Sequence, residues 1–599
     1  MRFDMSASVR AMAVLSAAAI VGGFIPGGRA RAETSANVDS PLGINLTGVT
    51  YYTPEQPFLN IFKTTGVSKA TPKGWFTYSR SKMDTGEEAY LQLDADGYPT
   101  TLQASSADPH QQFSAVGVLI LRGLPNSNAG TGLPYRPGQY VVLYDGNGTL
   151  SYGFDATLVS HSQGRDVINI ARPTTGGGVL LLITATDPNN HLRNIRVVKA
   201  EEEGLLSQGD LFAPQFLAML KNFHVIRFMQ WSKIDEPGGM VGAWSNRTHS
   251  TDAGWGTVDG VPLEVDIQLA NAVGADAWLN VPVNADADYI TQMATLAHNT
   301  LSPSLKVYIE FSNEVWNSAY AQYNYAIQQG KATWPGAGVS AYTYNRDWFG
   351  MRTAQMCDIW KSVWGGDGSR VICVLGAQAA NTWTATEALN CPLWKGTGNA
   401  PCAAHGIDAV AIAPYFADFQ APAAWTSTSD GGLTNLFQEL NQAALIHSSY
   451  AGADLAKISS WEAAYKAALA PYKLPFIAYE GGQTLVGFPQ SNGSPVVKLY
   501  IQANRDPRMG ATYTNALQQW KANGGQTYVI FNDVNAPSQY GEWGALESFM
   551  DTTKPLSSSP PKWQAIQNFI SATPCWWQGC RGAVSGDVPQ SPKNFQANH

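Results

Sequence analysis

The sequence predicts a (β/α)8 barrel with a β-sandwich inserted near its N-terminus. Three observations predict it. Beyond Glu203, short apolar and β-branched runs alternate with amphipathic helical stretches, the rhythm of a parallel α/β protein. One further run near the N-terminus brings the strands to eight, the number a closed parallel barrel needs. From about Gly74 to Val198 the rhythm changes to short alternating runs broken by Gly, Asn, Asp and Pro, the pattern of an all-β domain.

Taken in order, the chain opens with Arg2 and Arg10 flanking an apolar run from Ala11 to Phe24, and Ala30-Arg31-Ala32 offers a small-x-small cleavage site. Residues 1–32 therefore read as a secretory signal peptide, too short to serve as a membrane span. Gly43–Val49 reads as the first barrel strand, followed by a helix-like PFLNIFK, so the first barrel segment is 42–66. The inserted sandwich is expected over 67–200, with Asp145-Gly146-Asn147-Gly148 as a hairpin turn. The alternative is a wholly separate N-terminal domain over 41–200. The barrel resumes at 201–570. A helix over 210–223 with Asp210 as its cap precedes the strand HVIRFMQW (224–231), and a helix over 261–272 precedes AWLNVPV (277–283). A helix over 289–300 leads to the strand at Leu305–Phe311, and RVICVLGA, IDAVAIAPY, PFIAY and QTYVIFN complete the series. Residues 571–599, CWWQGC and a Pro/Ser/Gln/Asn tail, read as a disulfide loop and a flexible end.

Composition narrows the partners. Only 14% of residues are charged and 19 are Trp, which suits neutral sugars bound by hydrogen bonds and aromatic faces, although large secreted β-rich proteins share this composition. Loss of residues 1–32 removes four Arg and one Asp and moves the formal charge from −8 to −11. That acidity argues against nucleic acid and against anionic membrane surfaces. No second long apolar run follows, so the product is expected in the periplasm or outside the cell. All six Cys lie beyond the leader, and proximity favours Cys391 with Cys402, Cys575 with Cys580, and Cys357 with Cys373. No Cys/His spacing suggests a metal, no cofactor is implied, and no pattern sets an oligomeric state.

The most informative stretch is LKVYIEFSNEVWNSA, residues 305–319. An apolar strand breaks into Ser312-Asn313-Glu314, polar residues that a buried strand end carries only for a reason. A carboxyl there can protonate a glycosidic oxygen, an amide can hold a ring hydroxyl, and the Trp316 indole can stack on a sugar. A helix cap is the plainer reading of Glu314. A second acid, Glu480 in PFIAYEGGQ, ends another strand before two glycines that would let the backbone turn closely under a ligand. Arg227 interrupts an apolar strand and, if buried, needs a carboxylate. Glu310 shares strand parity with Glu314 and is a rival candidate, deeper in the barrel.

The Asn-Glu pair at a strand end resembles the acid/base signature of the clan A glycoside hydrolases, retaining enzymes on (β/α)8 barrels. The longer EFSNEVWN is similar to a group of secreted bacterial proteins placed near that clan. The resemblance implies Glu314 as acid/base and Glu480, at the end of the seventh strand, as nucleophile. It implies that Arg227 pairs with Glu480, with Glu310 almost as good a partner, and that Tyr415 in AIAPYF hydrogen-bonds the nucleophile. Some relatives carry a His where this chain has Ala413, a departure from the cellulase-like branch. Trp543 is matched to the aromatic beside the cleavage point. Trp231, Trp244 and Trp316 are candidate sugar platforms, and Asn280, Asn246, Asp286 and Asp533 are possible hydroxyl contacts.

Competing classes fit less well. There is no G-x-S-x-G and no glycine fingerprint of a nucleotide enzyme, and a lyase for acidic sugars would want a basic site. A non-catalytic glycan-binding protein leaves two strand-end acids unexplained. The expectation is a secreted retaining β-glycosidase with a carbohydrate substrate.

Overall fold

The computed structural model describes residues 40–580 except 69–73, 80–82, 104–111, 127, 129–131, 236–241 and 443–453. The expected signal peptide and the tail beyond Cys580 lie outside the described residues.

In chain order the strands are β1 (Leu42–Asn45), then β2 (Phe76–Tyr78), β3 (Ala115–Ile120), β4 (Gly138–Asp145), β5 (Gly148–Phe154), β6 (Thr157–Ser162), β7 (Arg165–Ile170), β8 (Val179–Thr186) and β9 (Arg193–Lys199). There follow β10 (Val225–Arg227), β11 (Asp276–Val281), β12 (Val307–Phe311), β13 (Val371–Gly376), β14 (Ala409–Ile412), β15 (Phe476–Ala478) and β16 (Tyr528–Ile530). β1 and β10 to β16 pair in parallel and close into an eight-stranded barrel, β16 returning to β1. This is the (β/α)8 barrel that the sequence predicts. Its strands are buried on both faces, which is why they read as near-continuous apolar runs.

Side chains alternate along each barrel strand. Ile226, Leu279, Ile309 and Ile412 pack outward under the helices, while Val225, Trp278, Tyr308, Val374, Ile477 and Val529 fill the interior. The helix before β11 runs Leu263–Val273 and ends on Gly274 at φ 73, a left-handed cap that glycine adopts freely. The helix expected over 210–223 is shorter, Pro214–Leu220, and begins at Pro214 without a side-chain cap, so Asp210 does not start it.

β2 to β9 form two four-stranded sheets, β2-β3-β8-β5 and β6-β7-β4-β9. Val118, Leu181 and Leu150 of one meet Val142, Ile168 and Val197 of the other in a single core, which makes a sandwich. The Asp145–Gly148 turn is not the hairpin expected from its residues. β4 and β5 lie in opposite sheets, so the turn carries the chain across the sandwich, held by Asn147 N donating to Asn190 O at 2.8 Å. Local turn chemistry sets the reversal, while pairing partners are chosen by tertiary contacts. The sandwich is fastened to the barrel: Ile61, Phe62, Val67 and Ala253 join its core, and Asn60 Oδ1 accepts from Val197 N at 2.9 Å.

Disulfides join Cys391 to Cys402 and Cys575 to Cys580. Cys357 and Cys373 are not bridged. They are buried free thiols that touch where the helix Ala341–Trp364 packs on β13, so proximity was read correctly and the bond was not.

Candidate active site

Arg227, the last residue of β10, is fully buried at the C-terminal end of the barrel. Its Nη1 donates to Asn45 Oδ1 (3.1 Å) and Glu480 Oε2 (3.2 Å), and its Nη2 to Glu310 Oε2 (2.8 Å) and Asn313 Oδ1 (2.7 Å). Strand register explains the convergence. Asn45, Arg227 and Trp278 lie side by side on neighbouring strands, and Asn280 lies beside Glu310. The guanidinium is flanked by the rings of Tyr479 and Trp278, centroids 5.0 and 5.6 Å away. Both readings of Arg227 hold together: it pairs with Glu310 and with Glu480.

Glu314 follows from the way β12 ends. Ser312 and Glu314 have φ of 60 and 41, left-handed values that side-chain-bearing residues avoid unless their surroundings hold them there. Between them Asn313 stays buried while Glu314 is half-buried. Glu314 Oε1 accepts from the Tyr479 hydroxyl at 2.7 Å, and Oε2 from Asn317 Nδ2 at 2.7 Å. Glu480 is 6% exposed. The glycines after it serve packing rather than a ligand. A Cβ on Gly481 would meet the Tyr528 hydroxyl at 2.3 Å, and one on Gly482 the Tyr513 hydroxyl at 2.7 Å.

A further acid, Asp235, completes the cluster. Asn313 Nδ2 donates to its Oδ1 and Oδ2 at 3.1 and 2.9 Å, and Gln322 Nε2 to Oδ1 at 2.8 Å. Four carboxyls thus surround one guanidinium. Burial pushes Glu480 well up, opposed by Arg227 and reinforced by the charges of Glu314, Asp235 and Glu310. Burial also raises Glu314, while the hydrogen bonds from Asn317 and Tyr479 pull it back. Asp235 is pushed up to about 7, by burial first, against the bond from Asn313. Both acids of the expected pair, Glu314 as proton holder and Glu480 as carboxylate, are thus raised in this cluster. Glu480 shares the Arg227 guanidinium with Glu310 and two amides, whereas Glu314 has two neutral donors of its own.

The remaining residues sort by burial. Tyr415 and Trp543 come together, ring centroids 5.6 Å apart, with Phe531 edge-on to both. Burial and the charges of Glu480 and Glu314 push the Tyr415 phenol up, which places it beside both acids. Among the described residues its hydroxyl makes no hydrogen bond to Glu480; Tyr479 makes the acid contact, to Glu314. Trp316 is half-buried beyond Glu314, and its indole N–H has no acceptor among the described residues. Trp244 is half-buried against Tyr289 and Arg247.

Several expected contacts are corrected. Trp231 is wholly enclosed between Phe58, Phe216 and Phe228, with Nε1 on Glu55 at 3.2 Å, and has no face to offer a sugar. Asn280 is 2% exposed and donates to Glu310 Oε2 (2.9 Å) and Ser312 O (2.8 Å), so it props the site from below. Asn313 spends its amide on Arg227 and Asp235. Asp286 caps the helix Ala287–Thr300 through Tyr289 N. Asp533 is buried, accepting from Thr47 N and Val534 N. Asn246 is exposed, its Oδ1 accepting from the Ser245 hydroxyl at 3.3 Å.

Sequence reasoning missed Asn45, Asp235, Asn317, Tyr320 and Tyr479. Tyr320 feels the charges of Glu314, Asp235 and Glu480. Tyr479 could have been found, since it shares inward parity with Ile477. Asp235 had no such signal, because it lies in the irregular chain after β10.

No family model matches the chain, and no curated protein matches it. Among solved structures, a family 5 xyloglucanase from Paenibacillus pabuli is similar at 12% identity with a TM-score of 0.35, over 60% of this chain and 90% of that one. A GH5-4 broad-specificity endoglucanase from Clostridium acetobutylicum is similar at 14% identity and 0.31, over 60% and 89%. A psychrophilic family 10 endo-β-1,4-xylanase is similar at 8% identity and 0.32, over 59% and 92%. At such identities and scores, the barrel stands on its own strand pairing and the site on its own geometry.

Proposed function

We propose that the protein is a secreted retaining β-glycoside hydrolase acting on an oligosaccharide or polysaccharide, with Glu314 as acid/base and Glu480 as nucleophile. The observation that carries this reading is one linked constellation. Glu314 lies just past the fourth barrel strand and Glu480 just past the seventh, and Tyr479 and Arg227 tie the two acids into one electrostatic unit at the C-terminal mouth. Barrel enzymes place their chemistry at that end.

Retaining hydrolysis needs an ionised carboxylate to attack the anomeric carbon and a protonated carboxyl to release the leaving oxygen. In this reading Glu480 ionises against the Arg227 guanidinium, and Glu314, which among the described residues meets only the neutral donors Tyr479 and Asn317, holds the proton. Attack turns Glu480 into an ester and cancels its charge. The field that raises Glu314 weakens, and Glu314 becomes the base that activates water for the second displacement. Asn313 and Glu310 keep the Arg227 fork in place, and Tyr479 aims Glu314. Tyr415, Phe531 and Trp543 form an aromatic corner beside the acids that suits a sugar ring. The two disulfides fit an oxidising compartment, in line with an exported chain.

The test is trapping. A 2-deoxy-2-fluoro glycoside with an activated leaving group should form a stable adduct, and mass spectrometry of the digest should place it on Glu480. An adduct on Glu310 would reassign the nucleophile. A non-catalytic glycan-binding protein would bind sugars and form no adduct.

A further inference from the structure

A cavity of about 390 Å³ opens between the chain after β1, β10 and β16 on the barrel side and the turn Gly123–Pro125 of the inserted sandwich. Its volume lies in the range of ligand sites, about 300–1,000 Å³. We infer that this cleft is a distal subsite for the glycan chain, walled by the sandwich, so that the protein takes a chain of sugars rather than a single one. The inference rests on the glycosidase reading of Glu314 and Glu480.

Three features carry it. The first is continuity with the acids. Asp235 lines the cleft and holds the amide of Asn313, the residue before Glu314. Gln230, also in the lining, accepts from Asn532 at 3.3 Å beyond the end of β16.

The second is a fixed wall. The sandwich turn is pinned to the barrel loop by Arg122 N donating to Tyr51 O at 3.1 Å, and Leu121 and Leu124 are 3% and 1% exposed in the sandwich core. A wall tied at both its backbone and its core holds its distance from the barrel rim. The insertion therefore shapes the groove rather than hanging beside it.

The third is the chemistry of the lining. Tyr52 is 54% exposed, an uncommon state for so large a ring, and Tyr51 holds it edge-on at 5.0 Å. Around it stand the Thr50 hydroxyl and the Gln230 and Asn535 amides, with one acid, Asp235, and one base, Lys233. An aromatic face among neutral donors and acceptors, with balanced charge, recognises an uncharged sugar ring.

The experiment uses the full chain and a ladder of cello-, xylo- and manno-oligosaccharides from disaccharide to hexasaccharide. In wild type kcat/KM should rise with chain length. Tyr52→Ala should lower the ratio of hexasaccharide to disaccharide kcat/KM by about fivefold, the scale of one lost stacking contact. Ala536→Trp, which fills the cleft from the β16 side, should lower it by more. A flat length dependence in wild type, or ratios that neither substitution changes, would overturn the inference and leave the glycosidase reading standing. If no member of the ladder is cleaved, hexasaccharide binding to wild type and Tyr52→Ala is measured by calorimetry. Binding weakened by the substitution would support the subsite and count against the enzyme. Binding that is absent, or indifferent to Tyr52, would overturn the inference.

Discussion

Replacing Arg227 with Met removes one guanidinium that binds four partners on different strands and loops: Glu310 at 2.8 Å, Glu480 at 3.2 Å, Asn313 at 2.7 Å and Asn45 at 3.1 Å. Met nearly fills the volume, so the loss is mainly of charge and hydrogen bonds. Removing one partner of a buried ion pair destabilises by about 3–5 kcal/mol, because the other is left without its counter-charge. For a chain of this length the unfolding entropy is on the order of 1 kcal/mol/K, so the melting temperature should fall by about 3–5 °C. The pH dependence identifies the cause. Glu480 is raised in the folded state, so its contribution favours folding below its unfolded value and is lost as pH rises through its folded one. Arg227 opposes that rise, and without it stability should fall more steeply with pH. Thermal melts of wild type and Arg227→Met should differ most at about pH 8 and converge towards about pH 4, where the raised carboxyl of Glu480 is protonated with or without the cation. An equal difference at both ends would mean that Arg227 acts by packing, and would refute the charge argument.

Three further outcomes follow from the same cluster and its surroundings. Tyr479→Phe deletes the 2.7 Å bond that pulls Glu314 down, so the basic limb of the kcat/KM profile should move to higher pH, with activity lower by about tenfold or more for a lost bond to a charged group. Asp235→Asn removes a negative charge that raises Glu480, so the acidic limb should move to lower pH while the Asn side chain keeps a contact to Gln322. Thiol titration with a chromogenic disulfide should find the buried Cys357 and Cys373 unreactive in the native protein and two reactive thiols after denaturation without reductant; none would mean that they are bridged.

What could be read from sequence followed physical visibility. Barrel strands buried on both faces show as apolar runs, so their number and order were legible, and Val307–Phe311 stood out because polar residues break it. Arg227 was legible for the converse reason, a charge inside an apolar strand. Trp231 was misjudged because a ring at a strand end reads alike whether the chain beyond it covers it or leaves it open; Phe58, from another segment, closes over it. Asn280 and Asn313 read as ligand contacts, since an amide at a strand end gives no sign of the neighbour that will occupy it. The Asp145–Gly148 turn had its local pattern right and its pairing partner wrong, while Cys357 and Cys373 had the right neighbour but no bond. Asp235 left no trace, because its importance is made entirely by Asn313 and Gln322 arriving from elsewhere.

The assignment of Glu480 as nucleophile is the centre of the account, and azide rescue tests it most directly. Glu480→Gly should be inactive on an activated aryl glycoside, and added azide should restore turnover and release a glycosyl azide with the anomeric configuration opposite to that of the substrate. Undiminished hydrolysis by Glu480→Gly without azide would contradict the account.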